Sequence, residues 1–162
     1  MAVLEATVER LTGELDAVTS RLAALEVRVE ARVGDGLAAP DLAAAADVID
    51  LAGGVVGKGV RHLAANGGPD VHQLLAYDLA HAAAQVETAR ALLDYGAKGA
   101  QEAAIACAFT ADMVHDLITR IAGREASWGI EIAPLKAAHP FLEQFRSPEF
   151  VAARAVVEEA QR

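Results

Sequence analysis

"YDLAHAAAQVETARALLDYGAKG", residues 77–99, decides how this chain folds. Alanine crowds it, and Leu75, Leu79, Ala82, Val86, Ala89 and Leu93 recur in and just before it at alternating steps of four and three. Side chains at that spacing lie on one stripe of a helix, so the stretch reads as a helix packed by its alanine face. Asp78, His81, Gln85 and Thr88 follow at steps of three, four and three, about a quarter turn from the stripe. At the edge of an apolar face they either line a cleft or form a solvated margin; the expectation taken here is the cleft. Tyr95-Gly96 and "AKG" close the helix.

The same period extends on both sides. Upstream, a helix over about 42–65 buries Leu42, Ala45, Ile49, Ala52, Val56, Val60 and Leu63. "NGGPD" (66–70) stops it and starts the next, with Asp70 as cap and Gln73 in the capping-box position. Downstream, a helix over about 100–121 turns Val114, Leu117 and Ile121 inward and pairs Asp116 with Arg120 across one turn; Gly123 ends it. Cys107, in "AIACAF", reads as a small buried apolar side chain. After "REASWGIEIAP" come two shorter helices, about 134–145 and 148–160, the second started by Ser147 and Pro148. Nothing reads as a strand. The fold class is all-α, a helical bundle.

The first 33 residues carry a different period. Val8, Leu15, Leu22 and Val29 occupy heptad position a, and Leu4, Leu11, Val18 and Leu25 position d. This heptad helix would be roughly 45 Å long, and self-association through residues 3–33 as a coiled coil is expected. The alternative is a long first helix packed on its own domain. Arg21 at g and the following e residue, Glu26, could pair across a parallel dimer. "VGDGLAAPD" (33–41) interrupts with two glycines and a proline, so the organisation is heptad helix 1–33, linker 34–41 and helical-bundle domain 42–162.

Composition excludes several classes. Only 4% of the 162 residues are aromatic while 54% are hydrophobic, so alanine and leucine fill the core. A net charge of −9 argues against nucleic acid as a partner. One cysteine rules out an internal disulfide. There is neither a secretory leader pattern nor an apolar run long enough for a membrane span, so a cytoplasmic protein without a membrane partner is expected.

Two patterns hint at chemistry. "GGVVGKG" (53–59) resembles a phosphate loop, but Gly59 stands where a hydroxyl residue is needed and no strand precedes it. Gly54 and Gly57 instead share a helix face with Asp47, Asp50 and Arg61, and helix-interior glycines suggest close approach of a backbone or a ligand. Asp78/His81 and Asp112/His115 form two Asp-x-x-His pairs, but no inward glutamate completes a di-metal set, and no metal is expected.

"LLAYDLAHAAAQVETARALLDYG" and "AAIACAFTADMVHDLITRIAGREASWGIE", with "DVIDLAGGVVGKGV" upstream, resemble the C-terminal helical domain of acyl-CoA dehydrogenases over about residues 42–131. The resemblance rests on Glu87-Thr88-Ala89-Arg90-Ala91-Leu92, on the turn from Arg120 to Glu125, and on the Gly53-Gly54 pair. It implies an FAD and an acyl-CoA thioester bound against these helices. In one branch of the family the proton-abstracting carboxylate precedes the glycine pair, which corresponds here to Asp47 in place of a glutamate. Gly123, Arg124 and Gly129 would approach the flavin nucleotide, although only one glycine of the family's pair is kept. Gly54, Gly57, Asp78, His81 and Gln85 would line the substrate pocket. No segment supplies the family's β domain. The resemblance therefore implies a domain that contributes to a flavin and acyl-CoA site only with a flavin-binding partner subunit, and that is inactive alone. The alternative function is a non-catalytic homo-oligomeric interaction module built on the coiled coil.

Overall fold

A computed structural model describes residues 39–152. The heptad segment 1–33 with its expected self-association, the linker up to residue 38, and the last helix beyond residue 152 lie outside the described residues. Helix α1 spans Leu42–Ala65 and is capped by Asp41, whose Oδ1 accepts the Ala44 N–H at 2.9 Å. A single turn, α2 (Gly68–Val71), leads into α3 (Gln73–Gly96), and α4 follows over Ala100–Ile121. The short α5 (Glu125–Trp128), a 3-10 helix (Ala133–Ala138) and α6 (His139–Phe145) complete the body, before a further helix begins at residue 148. No strand occurs among the described residues.

Helices α1, α3 and α4 pack on one another pairwise, and alanine is the reason they can approach closely. Ala45, Ala52, Ala89, Ala106 and Ala111 are fully buried at their contacts. Leu75, Leu79, Ala82, Val86 and Ala89 are buried along α3 as their period predicts, with Leu93 half-buried. On α4, Val114, Leu117 and Ile121 point inward, as does Cys107. Burial, chiefly, pushes the Cys107 thiol above its ordinary pKa; a hydrogen bond with the Asp41 backbone opposes this and the Asp41 charge adds to it. Cys107 is thus a small apolar core residue and not a reactive thiolate.

The bulky side chains gather at the other end of the chain. Phe141, Phe145 and Phe150 stack in sequence, with ring centroids 4.6 and 5.1 Å apart. Ser147 starts the following helix by accepting the Phe150 N–H on its Oγ at 3.1 Å. Trp128 is wholly buried, and it lies over Gly59 on α1, where an added Cβ would come within 3.3 Å of its ring. Burying a large apolar side chain in this way contributes roughly 1.5–3 kcal/mol.

Three expectations are corrected. Val60 is 47% exposed, and Gly59, together with Val48 and Val55, takes the core side of α1 instead. The Trp128 ring covers the position that a side chain at 59 would need. Asp70 does not cap α3: Pro69 opens a separate turn at Gly68, where Gly67 has φ +105°, and α3 begins after His72 with no side-chain cap. Residues 133–138 form a 3-10 turn rather than part of an α-helix, starting at Ala133-Pro134.

Candidate functional site

The polar residues of α3 separate into two environments. Asp78 is buried, and its carboxylate accepts from Arg124 Nη1 at 2.7 Å and Arg120 Nη1 at 3.3 Å. Arg120 is shared: its Nε donates to Asp116 Oδ2 at 2.8 Å, the one-turn pair expected on α4. Gln85 Nε2 donates to the same Asp116 oxygen at 3.0 Å. Asp78, Gln85, Asp116, Arg120 and Arg124 therefore form one continuous network that fastens α3 to the end of α4. Burial raises the Asp116 pKa, but the hydrogen bonds from Arg120 and Gln85, helped by the Arg120 charge, outweigh it and hold the carboxyl below its ordinary value. The Asp116 hydrogen bond in turn raises Arg120.

His81 lies outside this network. It is exposed and meets Tyr77 edge-on, with centroids 4.5 Å apart. Thr88 is exposed too, and its hydroxyl donates back to the Ala84 carbonyl at 2.9 Å. Of the four residues that prompted the cleft, two fasten helices together and two face solvent. The second Asp-x-x-His pair is also divided: Asp112 accepts from Arg146 Nε at 2.9 Å, while His115 is exposed. Among the described residues no three His, Cys, Asp or Glu side chains converge on a metal-sized site.

The glycine face of α1 looks outward. Asp47, Asp50, Gly54 and Arg61 are exposed and Gly57 half-buried. A Cβ built on Gly54 meets no described atom within 4 Å, and one on Gly57 meets only Arg61 Nη1 at 3.6 Å. Close approach occurs at the two other glycines of the run, Gly53 and Gly59. At Gly53 a Cβ would lie 2.9 Å from Arg90 Nη2, and at Gly59 it would lie 2.8 Å from Leu79 Cδ2.

The three residues assigned to a nucleotide are also dispersed. Arg124 is committed to Asp78. Gly123 is exposed with φ +77°, and no described atom lies within 4 Å of a Cβ there. Gly129, with φ +63°, turns the chain tightly against His62, whose ring occupies the space of any side chain at 129. It also borders an open groove of about 370 Å³ between α1 and the α5 turn, lined by Val55, Lys58, Ala126, Ile130 and the carboxylates Glu125 and Glu131. Lys58 is the cation that borders it.

Sequence reasoning missed the partners more than the positions. Arg120 in the last turn of α4 and Arg124 beyond its end, just before α5, are the cations that pair with the buried Asp78, and because the helix breaks between them no helical period linked the two. Trp128, the one tryptophan in the chain, signalled core inside what reads as a loop.

Fold and site together define an all-helical body over residues 39–152, whose polar cluster bonds helix to helix. Comparison with protein families, with curated proteins and with solved structures finds no match to this chain. No helix among the described residues is long and apolar enough to cross a membrane.

Proposed function

We propose that the chain is a non-catalytic interaction module: an alanine-faced helical body joined to a heptad segment, residues 3–33, through which copies associate. The observation that carries this reading is that polar residues expected to line a cleft are used to fasten helices: both Asp78 oxygens accept from Arg120 and Arg124, and the Gln85 amide nitrogen donates to Asp116, leaving only the buried Gln85 Oε1 of these two side chains without a partner. Sedimentation of the full chain beside a variant lacking residues 1–33 tests it. The expected result is an oligomer that becomes a monomer on deletion; an unchanged sedimentation coefficient per chain removes the heptad segment from the role.

A second reading is favoured by the groove beside Gly129. In it the body is acyl-CoA dehydrogenase-like, and a flavin-binding partner subunit completes a site for FAD and an acyl-CoA. Asp47, exposed on α1, would then be the carboxylate that takes the thioester's α-proton, and Gly123, Arg124 and Gly129 would approach the flavin nucleotide. A rise in melting temperature with FAD or an acyl-CoA supports this reading, because a ligand bound to the folded state stabilises it by mass action. Turnover retained by Asp47→Asn in a reconstituted complex would remove Asp47 from the role.

A further inference from the structure

The outer side of α3 carries a seam that the body leaves uncovered. It runs from Leu74 through Tyr77 and His81 to Ala84, then through Thr88 and Ala91 to Tyr95, in steps of three and four throughout. All seven positions are exposed; Leu74 is 66% and Tyr77 62% accessible. No aspartate, glutamate, lysine or arginine interrupts them, although such residues make up 23% of the chain. Thr88 has already turned its hydroxyl to the Ala84 carbonyl, so it presents a methyl group outward. Alternating steps of three and four keep a seam facing one partner helix along its whole length.

We propose that this seam pairs α3 with α3 of a second copy of the chain, antiparallel, about a two-fold axis at Ala84. The order of side-chain sizes points to that occupant. Laid antiparallel on itself, the helix sets Leu74 opposite Tyr95, Tyr77 opposite Ala91, His81 opposite Thr88, and Ala84 opposite its own copy. In the two layers flanking the axis a larger side chain meets a smaller one, Tyr77 on Ala91 and His81 on Thr88, the two backbones approach at Ala84, and Leu74 packs on Tyr95 at the outer ends. A parallel pair would instead set Tyr77 on Tyr77 and Ala91 on Ala91, bulging at one layer and gaping at the next. Charge agrees. The exposed acids flanking the seam, Glu87 and Asp94, would face Ala80 and Gln73 of the other copy, so no two carboxylates meet in a chain of net charge −9.

One helical seam of about 32 Å falls short of the roughly 800 Å² per partner of a stable interface. The seam therefore needs a second contact within the assembly. It rests on the proposed association through residues 3–33, which raises the local concentration of one α3 around another.

Disulfide trapping in the full-length chain tests the pairing, since the native Cys107 is fully buried and does not compete. Under dilute mild oxidation, Ala84→Cys is expected to convert most chains to a covalent species at twice the 16.8 kDa of the chain. Ala64→Cys, also exposed but on α1, is expected to stay uncrosslinked. Leu74→Cys alone is expected to give no such species, whereas a mixture of Leu74→Cys and Tyr95→Cys gives it. Absence of the Ala84→Cys product, equal trapping at Ala64→Cys, or self-crosslinking of Leu74→Cys each overturns the proposal. Sedimentation of the same samples separates the failures: an oligomer untrapped at position 84 rejects the seam alone, and a monomer rejects the association reading as well. Ala84→Glu, at an exposed helical position, is expected to keep its circular dichroism and to weaken association at least ~10-fold, about 1.4 kcal/mol; unaltered association counts against the seam.

Discussion

Gly54 and Gly59 sit five residues apart on α1, and adding a side chain should have opposite effects at the two. At Gly59 the space of a side chain is filled by Leu79 and Trp128, and at Gly54 no described atom comes near. A helix-interior glycine therefore means close packing only where another element crosses it. α3 repeats the contrast with polar residues: Asp78 is buried between two arginines, and His81, less than one turn later, is exposed beside Tyr77. In both helices three to five residues, a spacing that is not a whole number of 3.6-residue turns, separate a residue that holds the body together from one that faces outward.

The largest expected effect tests the packed side of that contrast. Gly59→Val would push its Cβ to 2.8 Å from Leu79 Cδ2 and 3.3 Å from the Trp128 ring. Leu79 can yield by rotating, but Trp128 is fully enclosed and cannot. Urea denaturation is expected to show a loss of about 3 kcal/mol, at the upper end of overpacking costs. A loss under about 1 kcal/mol would mean that the α5 turn shifts freely over α1.

Next is the buried carboxylate. Asp78→Ala leaves Arg124 without its carboxylate and Arg120 with only Asp116. Removing one member of a fully buried ion pair costs about 3–5 kcal/mol. Here the arginine side chains keep 27% and 35% of their surface in water, which rehydrates them in part. The expected loss is about 2 kcal/mol, read from the denaturation midpoint. A neutral outcome would break the analogy with Gly59 by showing that Asp78 is a passenger in the network.

These two sites explain why the fold was more legible than the site. The stripe of Leu75, Leu79, Ala82, Val86 and Ala89 is a local signal, because the period of one helix suffices to find its buried side. Gly59 escaped because its burial depends on where Trp128 lands, and Trp128 is 69 residues further on. Asp78 was placed at the rim of a cleft because edge position is local information. Its partners lie 42 and 46 residues away, and no periodicity links them to it. Spacing located the polar residues on α3 correctly and could not say which of them α4 would claim.

Gly54→Ala tests the open side and should reverse the sign. The backbone there is an ordinary helix, so alanine loses less conformational entropy on folding and meets no described neighbour. A gain of about 0.5–1 kcal/mol is expected. Were the variant destabilised, or its oligomer weakened, the glycine face would be in contact with something beyond residues 39–152. Gly54 would then join Gly59 as a packed glycine.

The smallest effect concerns pH and sharpens the contrast on α3. Asp116 is held below its ordinary carboxyl pKa, because hydrogen bonds from Arg120 and Gln85 prevail over burial. A carboxyl depressed on folding binds fewer protons in the folded state, so its contribution is complete above the unfolded value of 3.8. That contribution is lost as pH falls through the lower folded value. Wild type and Asp116→Asn should therefore differ most at neutral pH and converge in strong acid. The side chain is 37% exposed, so screening limits the difference to about 1 kcal/mol or less. Paired urea titrations at about pH 7 and about pH 2 would show it. A difference that persists unchanged at the lower pH would assign the loss to the shape of the Gln85–Asp116–Arg120 contact and not to its charge. The polar margin of α3 would then be held by hydrogen-bond geometry alone.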